Sequence, residues 1–414
     1  MSQANINKQR TSVRMFLPAK PSHWVLWCVY NVLRFSLPFE NRLHVDPQDM
    51  ERLQKVTAGS GIILTPNHAD EADPQVCLEL SRRSRRRFIF MGNREAFDEY
   101  RGAAGWGLQR IGMFSVERGG RDVAAKDFAV NVTKLGKDVL VIFPEGEIFY
   151  LNDSVQPFHS GAIDIGLKAV LEERKTRPEY EAYVVPMAIK YNYVRPISQL
   201  LEKRVSEMER RLSRDMSGHA VRKRLLVLVS ELLQRREITY KLKSDSEKFE
   251  RLSDHVKFVR HSILSQIDER YSGIANAQGR TIDRTWQISD HLRDLMNEAT
   301  AGHRAIYQQD LDSLQEVAHM VSWKPDYIND NPSDDRLAEV MIKLEREVFK
   351  VKRPRALGQR NVYVRIGEPV ALSQFLDEYK ENPHAVRHHV AEHLRERIQS
   401  LLDNVLVSSV SKPQ

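Results

Sequence analysis

The sequence predicts an α/β fold with a mixed sheet flanked by helices, a large α-helical insertion and an N-terminal amphipathic helix. Three observations support this prediction. Short apolar runs alternate with helical patterns in the first half of the chain, the pattern becomes charged and wholly helical from about residue 196, and strand character returns near residue 361. Strands that alternate with helices indicate a sheet that is at least partly parallel.

The N-terminal segment, residues 1–44, contains a candidate membrane helix over residues 23–37. Ser22 is its predicted N-cap and Pro38 its predicted end. Polar residues occupy only a narrow stripe of this helix, and its aromatic residues suit a bilayer interface. We therefore expect a helix that lies in one leaflet, with packing on the domain core as the alternative. No apolar run approaches the roughly 20 residues needed to cross a bilayer.

Residues 45–195 form the predicted α/β core. Its strands are predicted at residues 61–65, 88–91, 113–116, 139–143 and 183–189, and its helices at 74–83, 122–136 and 161–174. Pro186 in the last of these strands indicates an edge strand or a bulge. Residues 196–355 form the predicted helical insertion. Residues 356–414 contain the final strand, at 361–366, and a helix at 383–403, and the simplest arrangement adds this strand to the first sheet.

The composition limits the possible function classes. Hydrophobic residues make up 41% and charged residues 29% of the 414-residue chain, which excludes a disordered or collagen-like protein. Two cysteines are too few for a disulfide framework and suit a reducing compartment. The net charge of +7 suits an anionic partner, such as a phospholipid surface, a phosphorylated ligand or an acidic carrier protein. We predict no nucleic-acid partner because no recognised binding module is present.

His68 and Asp73 are the first candidate catalytic residues. They lie in the segment TPNHADEADP, directly after the apolar strand GIIL. Pro74 favours a helix that starts there with Asp73 as N-cap, so residues 68–73 form a loop that can fold back. An Asp carboxylate on one imidazole nitrogen leaves the other nitrogen free to act as a base for a hydroxyl.

Two further strand ends carry candidate residues. Arg118 follows the strand at 113–116 and offers a charged fork suited to phosphate. Glu145 and Gly146 follow the strand at 139–143, where glycine permits a tight turn and glutamate supplies a carboxylate. Taken singly, a surface salt bridge and a strand-ending turn explain these residues equally well.

Four segments together resemble the consecutive blocks of the glycerolipid acyltransferase family, typified by 1-acyl-glycerol-3-phosphate acyltransferases. They are NHADEAD, GMFSVER, FPEG and VVPMAI, and QPFHSGA and VRIGEPV are similar to the stretches that follow in the family. The third block departs from the family pattern, because Glu147 and Ile148 stand where a small hydroxyl residue and an arginine usually follow the glycine. This departure favours an acceptor other than glycerol phosphate as the alternative.

The resemblance implies a phospholipid or glycerol O-acyltransferase. His68, oriented by Asp73, would deprotonate the hydroxyl of a lysophospholipid, with 1-acyl-glycerol-3-phosphate as the first expectation, while Arg118 holds the acceptor phosphate. Glu145 and Gly146 would shape the acceptor site. Acyl-CoA or an acyl-carrier protein would be the co-substrate, and no metal or other cofactor is expected. The implied partners are the membrane phospholipid surface, the lysophospholipid and possibly acyl carrier protein, with the enzyme on the cytoplasmic face.

Three alternatives stay open at this point. The first is an acyltransferase for another lipid or a non-phosphorylated acceptor. The second is a non-catalytic membrane-bound scaffold whose helical block binds a partner. The third is a metal-dependent hydrolase that uses a cluster in one short loop, formed by His68, Asp70, Glu71 and Asp73.

Overall fold

An eight-stranded mixed sheet forms the centre of the protein in the computed structural model, which describes residues 15–119, 122–243, 249–275, 278–329 and 331–410. The strands are β1 (Asn41–Val45), β2 (Gly61–Pro66), β3 (Phe88–Asn93), β4 (Met113–Val116), β5 (Val139–Val141), β6 (Ala182–Tyr193), β7 (Arg360–Ile366) and β8 (Val370–Ala371). Their order is β1-β7-β6-β2-β5-β3-β4, and β8 pairs with β6. The predicted α/β fold class is confirmed.

Parallel pairing dominates the sheet. β2 pairs in parallel with β5 and β6, β3 pairs in parallel with β4 and β5, and β1 pairs in parallel with β7. β7 and β8 pair with β6 in the antiparallel direction, so β7 and its parallel partner β1 run opposite to β2 to β6. Every residue of β2 is buried, as expected for a parallel strand covered on both faces. The carboxyl ends of β2 to β6 therefore lie at one edge of the sheet, which we call the C-terminal edge.

Helices cover both faces of the sheet and fill the insertion. In the core they are α1 (His23–Glu40), α2 (Pro47–Lys55), α3 (Asp73–Ser84), α4 (Arg94–Asp98), α5 (Ala103–Arg110), α6 (Val123–Leu135), α7 (Gly161–Glu173), α14 (Leu376–Glu381) and α15 (Pro383–Val410). Between β6 and β7 lie α8 (Ser198–Arg211), α9 (Val221–Thr239), α10 (Leu252–Arg270), α11 (Thr281–Glu298), α12 (Ala301–Val321) and α13 (Asp334–Phe349). Short 3₁₀ turns occupy Glu99–Gly102, Pro325–Ile328 and Leu372–Phe375.

The insertion buries its own apolar cluster. Leu228, Val259 and Leu314, from three different helices, are at most 1% exposed within it. Tyr150, from the loop after β5, joins the same cluster. The insertion is therefore seated on the C-terminal edge of the sheet, and β7 follows it back into that sheet beside β6.

Two local expectations are wrong. α1 does not stop before Pro38 but contains it and ends at Glu40. Proline removes one helical hydrogen bond, and because Pro38 lies in the last turn this loss does not break the helix. β6 is a central strand, not an edge strand. Pro186 is tolerated there because it lies between the residues that pair with β8, ending at Val184, and those that pair with β7, starting at Met187. The sequence also gave no indication of β1.

Helix α1 has two apolar sides. Leu26 and Leu37 are buried against the core. On the opposite side five large apolar side chains are more than half exposed: Trp24, Trp27, Val32, Phe35 and Phe39. None of the helices in the described part of the chain is long and apolar enough to span a membrane.

Candidate active site

The loop after β2, residues 67–72, is fastened to the neighbouring strand at its first residue. The Asn67 side-chain amide donates to the Ile189 carbonyl at 3.0 Å, and its oxygen accepts from the Ile189 N–H at 2.7 Å. Both hydrogen bonds are buried, so they fix where the loop leaves the sheet. The next side chain, that of His68, is held at the C-terminal edge as a result.

His68 and Asp73 meet, as the sequence predicts. His68 Nδ1 lies 2.8 Å from Asp73 Oδ2. The Asp73 carboxyl group is fully buried, whereas 13% of the His68 side chain is exposed. A carboxylate accepts, so this geometry places the Nδ1 proton between the two groups and leaves Nε2 without it. The imidazole can therefore accept a proton from a substrate hydroxyl.

Two further donors complete the surroundings of Asp73. The Asp70 N–H donates to Oδ2 at 3.0 Å and the Tyr191 hydroxyl donates to Oδ1 at 2.6 Å. Burial raises the pKa of Asp73, and the hydrogen bond with His68 is the largest effect in the opposite direction. The donors thus offset part of the cost of placing this carboxyl group in the interior.

A buried arginine from β7 braces the same loop. Arg360 donates to both carboxylate oxygens of Asp70, at 2.6 and 2.9 Å, and its guanidinium lies 4.4 Å from the centre of the Tyr191 ring. The Asp70 carboxylate in turn accepts from the Ala72 N–H at 3.0 Å. The chain segment after the insertion therefore helps to set the shape of the His68–Asp73 loop.

Glu145 supports His68 through the backbone. Its carboxyl oxygens accept from the His68 N–H at 2.9 Å and from the Gln156 N–H at 3.2 Å. Burial raises the pKa of Glu145 to about 8, although these two bonds act in the opposite direction. The Phe143 ring stacks on the His68 imidazole with the ring centres 4.1 Å apart. Glu145 therefore holds the His68 backbone, and Phe143 packs on the imidazole ring.

Gly146 makes the tight turn that the sequence predicts. Its φ is +75°, and its N–H donates to the Phe143 carbonyl at 3.0 Å. A Cβ atom at this position would lie 2.8 Å from Trp286 and 2.9 Å from His159, so a side chain has no room. Trp286 belongs to α11, so the insertion packs directly on this turn.

Arg118 is joined to Glu147, the residue that departs from the family pattern. Arg118 donates to Glu147 at 2.8 Å, and its guanidinium lies 5.1 Å from the centre of the Trp286 ring. Burial alone would raise the pKa of Glu147, but the Arg118 guanidinium and the hydrogen bond from the Ile148 N–H lower it. Glu147 is therefore a carboxylate at neutral pH, and the guanidinium already has an anionic partner.

A comparison of the chain with models of protein families gives a match that covers the predicted residues of this site. Residues 45–190 match the family model described as Acyltransferase, the domain of glycerolipid acyltransferases. This part of the chain is therefore similar to the acyltransferase domain. All five predicted site residues lie within the matched residues. No curated protein matches the chain.

The matched region brings the predicted residues together at the C-terminal edge of the sheet. His68, Asp73 and Glu145 are connected by hydrogen bonds, and Gly146 lies next to them in sequence. Arg118 reaches the same turn through Glu147. The expectation that Asp73 caps α3 is wrong by one residue, because its carboxylate binds His68 and Tyr191 instead and the N-cap is Ala72.

Sequence reasoning missed three residues of this site: Tyr191, Trp286 and Arg360. Each comes from a segment far along the chain, and no local pattern marks it. The predicted metal alternative finds no geometric support. Among the described residues, no group of three His, Cys, Asp or Glu side chains is placed to hold a metal ion.

Proposed function

We propose that the protein transfers a fatty acyl group from a thioester to a hydroxyl of a lysophospholipid, by general-base catalysis at His68. The observation that carries this proposal is the 2.8 Å contact between His68 and the buried Asp73, inside an acyltransferase-family domain. A base of this kind contributes roughly 10²- to 10⁴-fold to a rate.

The reaction needs no acyl-enzyme. His68 Nε2 accepts the proton of the acceptor hydroxyl while that oxygen attacks the thioester carbonyl carbon. The tetrahedral intermediate then expels the thiolate, and the proton on Nε2 passes to its sulfur. Ester and free thiol leave, and the imidazole returns to its starting state with Nδ1–H still bound to Asp73.

The membrane surface is the proposed place of action, and its cytoplasmic face the proposed side. The exposed apolar side of α1 supports membrane binding, since aromatic side chains at a bilayer interface bury their rings and keep the polar edges wet. A lysophospholipid acceptor is then supplied from the same leaflet.

The first acceptor to test is 1-acyl-glycerol-3-phosphate, because Arg118 lies at the position that the family uses for the acceptor phosphate. A second candidate is a non-phosphorylated acceptor. The Arg118–Glu147 ion pair favours it, since a phosphate would have to displace Glu147 or lie beside it.

Acceptor-dependent release of thiol tests the proposal. The full chain, bound to phospholipid vesicles, is supplied with acyl-CoA or acyl-carrier protein and a panel of lysolipids and monoacylglycerol. Transfer to one class of acceptor, absent in His68→Ala, supports the proposal. A wild-type chain that binds vesicles but releases no thiol with any donor and acceptor would indicate the non-catalytic scaffold instead.

A further inference from the structure

Helix α11 of the insertion lies on the ends of three neighbouring strands of the core, β5, β3 and β4. Near its C-terminus, Arg293 pairs with Glu95, which lies in α4 directly after β3. Nearer its start, Trp286 contacts the turns after β4 and β5, and these turns carry the candidate residues Arg118 and Gly146. α11 therefore covers the part of the C-terminal edge where the proposed acceptor site lies.

Glycine stands in both turns where this helix approaches the core. Gly119 has a φ of +90° and Gly146 has a φ of +75°. A Cβ atom at Gly119 would lie 2.4 Å from the backbone carbonyl carbon of Trp286, and one at Gly146 would lie 2.8 Å from its indole ring. Only a residue without a Cβ atom leaves room for these contacts. The two turns therefore fix the position of the indole ring.

The indole ring contacts two side chains of the core. The Arg118 guanidinium lies over it, 5.1 Å from the ring centre, and the His159 imidazole is stacked with it at 5.1 Å between ring centres. Arg280, the N-cap residue of α11, donates to His159 Nδ1 at 2.6 Å. Burial and the charge of Arg280 lower the pKa of His159 to about 4. The imidazole is therefore neutral at neutral pH and does not repel the Arg118 guanidinium.

Two contacts thus hold Arg118 in place, the face of the indole ring and the ion pair with Glu147. Among the described residues, Glu147 is its one hydrogen-bond acceptor, at 2.8 Å. A guanidinium carries further N–H donors, and they match phosphate oxygens. Because the guanidinium is already fixed, less conformational entropy is lost when it binds a ligand.

We propose that Trp286 is a positioning residue for the acceptor, which holds the Arg118 guanidinium on the face of its ring so that the remaining donors bind the phosphate of a lysophospholipid. This inference rests on the proposed function and adds a residue of the insertion to its acceptor site. Trp286 lies outside the residues that match the family model, so the match does not assign it this role.

Trp286→Leu and Trp286→Phe in the full chain test the proposal. Leucine fills part of the same space without an aromatic face, whereas phenylalanine keeps one. Glycerol 3-phosphate is the binding probe, because it carries the phosphate without the acyl chain. We expect Trp286→Leu to weaken its equilibrium binding, measured by calorimetry, by roughly three- to tenfold, and Trp286→Phe by about twofold or less. The KM for lysophosphatidate should rise by the same factors, while kcat and the KM for monoacylglycerol stay unchanged.

Trp106→Leu is the matched control. Trp106 also has an arginine over its ring, Arg110 at 5.7 Å, but it lies on α5 and is 61% exposed, so this variant should bind the probe like the wild type. Arg118→Ala sets the full loss. Arg118→Ala/Trp286→Leu should bind the probe no more weakly than Arg118→Ala alone, since the ring acts through the guanidinium.

Four results would overturn the inference. They are a wild type that does not bind the probe, equal affinity of Trp286→Leu and the wild type, equal loss in the leucine and phenylalanine variants, and a double variant weaker than Arg118→Ala. A fall in monoacylglycerol turnover in Trp286→Leu, by the factor seen for lysophosphatidate, would show a structural role instead.

The calorimetric measurement separates this inference from the proposed function. Probe binding that is weakened in Trp286→Leu and kept in Trp286→Phe supports the positioning role even when no acyl transfer is seen. Acyl transfer to lysophosphatidate with an unchanged KM in Trp286→Leu contradicts the positioning role and leaves the His68 mechanism standing.

Discussion

The environment of one carboxyl group determines the proposed chemistry. Asp73 accepts hydrogen bonds from three groups: the His68 imidazole, which is the proposed base, the Asp70 N–H and the Tyr191 hydroxyl. A carboxylate that is fixed in this way holds the imidazole in one tautomer. The base is therefore preorganised before substrate binds.

Tyr191→Phe is expected to lower kcat and leave the KM of both substrates unchanged. The variant removes the donor to Asp73 Oδ1 and leaves this buried oxygen unsatisfied, at a cost of about 1 to 3 kcal/mol in the free energy of unfolding. Steady-state kinetics and denaturant unfolding measure the two effects. Tyr193→Phe is the control, since its hydroxyl only accepts from the Leu357 N–H. An unchanged kcat in Tyr191→Phe would show that Asp73 needs no second donor.

Glu145 gives the protein a pH-dependent contribution to stability. Its pKa of about 8 in the folded state lies above its ordinary value of 4.5, so the folded state keeps a proton that the unfolded state has lost. This contribution is full below about pH 4.5 and disappears as the pH rises through about 8. Glu145→Gln cannot titrate, and the wild type should lose stability relative to it across this window.

Unfolding in urea between pH 4.5 and 8 measures that difference. Glu51→Gln is the control because Glu51 is exposed and contacts only Lys55. A constant difference in unfolding free energy between wild type and Glu145→Gln would show that Glu145 is ionised in the folded protein throughout.

At the scale of single residues, the sequence allows prediction of contacts between side chains that lie close together in the chain. The spacing from His68 to Asp73 and the proline after it allowed their contact, and the resemblance of four sequence blocks to one family made that contact the leading expectation. Tyr191 and Arg360 reach the loop only through the pairing of β6 with β2 and β7, so their roles depend on the order of the strands. The hydrophobic periodicity of a single sequence does not determine the order of the strands in the sheet.

At the scale of helices and strands, the question is how α1 and α11 are placed relative to the candidate site. α1 was predicted from its apolar circumference, and the structure shows which side of it faces outwards. The third sequence block and α11 meet at Gly146 and Trp286, a contact that the sequence could not reveal because charged helical sequence does not show which helix packs on which turn.

Three substitutions on the outer side of α1, Trp24→Ser/Trp27→Ser/Phe35→Ser, are expected to reduce binding to phospholipid vesicles by roughly 10²-fold or more, since burial of each large apolar side chain contributes about 1.5 to 3 kcal/mol. Vesicle sedimentation measures the loss. The control, Leu135→Ser/Ile238→Ser/Ile306→Ser, removes exposed apolar side chains from other helices. Equal loss in both variants would show that α1 has no special role at the membrane.

Glu147→Gln is expected to lower the KM for a phosphorylated acceptor several-fold. The substitution frees the Arg118 guanidinium from its ion pair and removes a carboxylate that repels phosphate. The KM for monoacylglycerol should change little. Acceptor kinetics with wild type, Glu147→Gln and Arg118→Ala measure the effect, and an unchanged preference among acceptors in all three would exclude this pair from the acceptor site.

At the scale of the whole molecule, the sheet joins two parts of the chain that the insertion separates: β1 to β6 before it, and β7 and β8 after it. Arg360 starts β7, directly after the insertion, and its bidentate contact with Asp70 holds the loop that carries His68. The return of a strand after residue 355 was visible in the sequence as an apolar alternation. Its position beside β6, and thus its effect on the site, required the pairing of distant strands.

Arg360→Ala should reduce the free energy of unfolding by up to about 3 to 5 kcal/mol, because the Asp70 carboxylate, of which only 15% is exposed, loses its charged partner. Arg365→Ala on the same strand is the matched control. Its partner Asp49 keeps a second arginine, Arg52, so the loss there should be smaller. Equal destabilisation by the two variants would contradict the special role of Arg360.

The central claim is that His68 and Asp73 act as one catalytic unit. A double-mutant cycle in kcat for acyl transfer, with His68→Ala, Asp73→Asn and the combined variant, tests it most directly. We predict a fall of roughly 10²-fold or more for His68→Ala, with the double variant no slower than that single variant. Losses that multiply, or a His68→Ala enzyme within a few-fold of wild type, would contradict the claim.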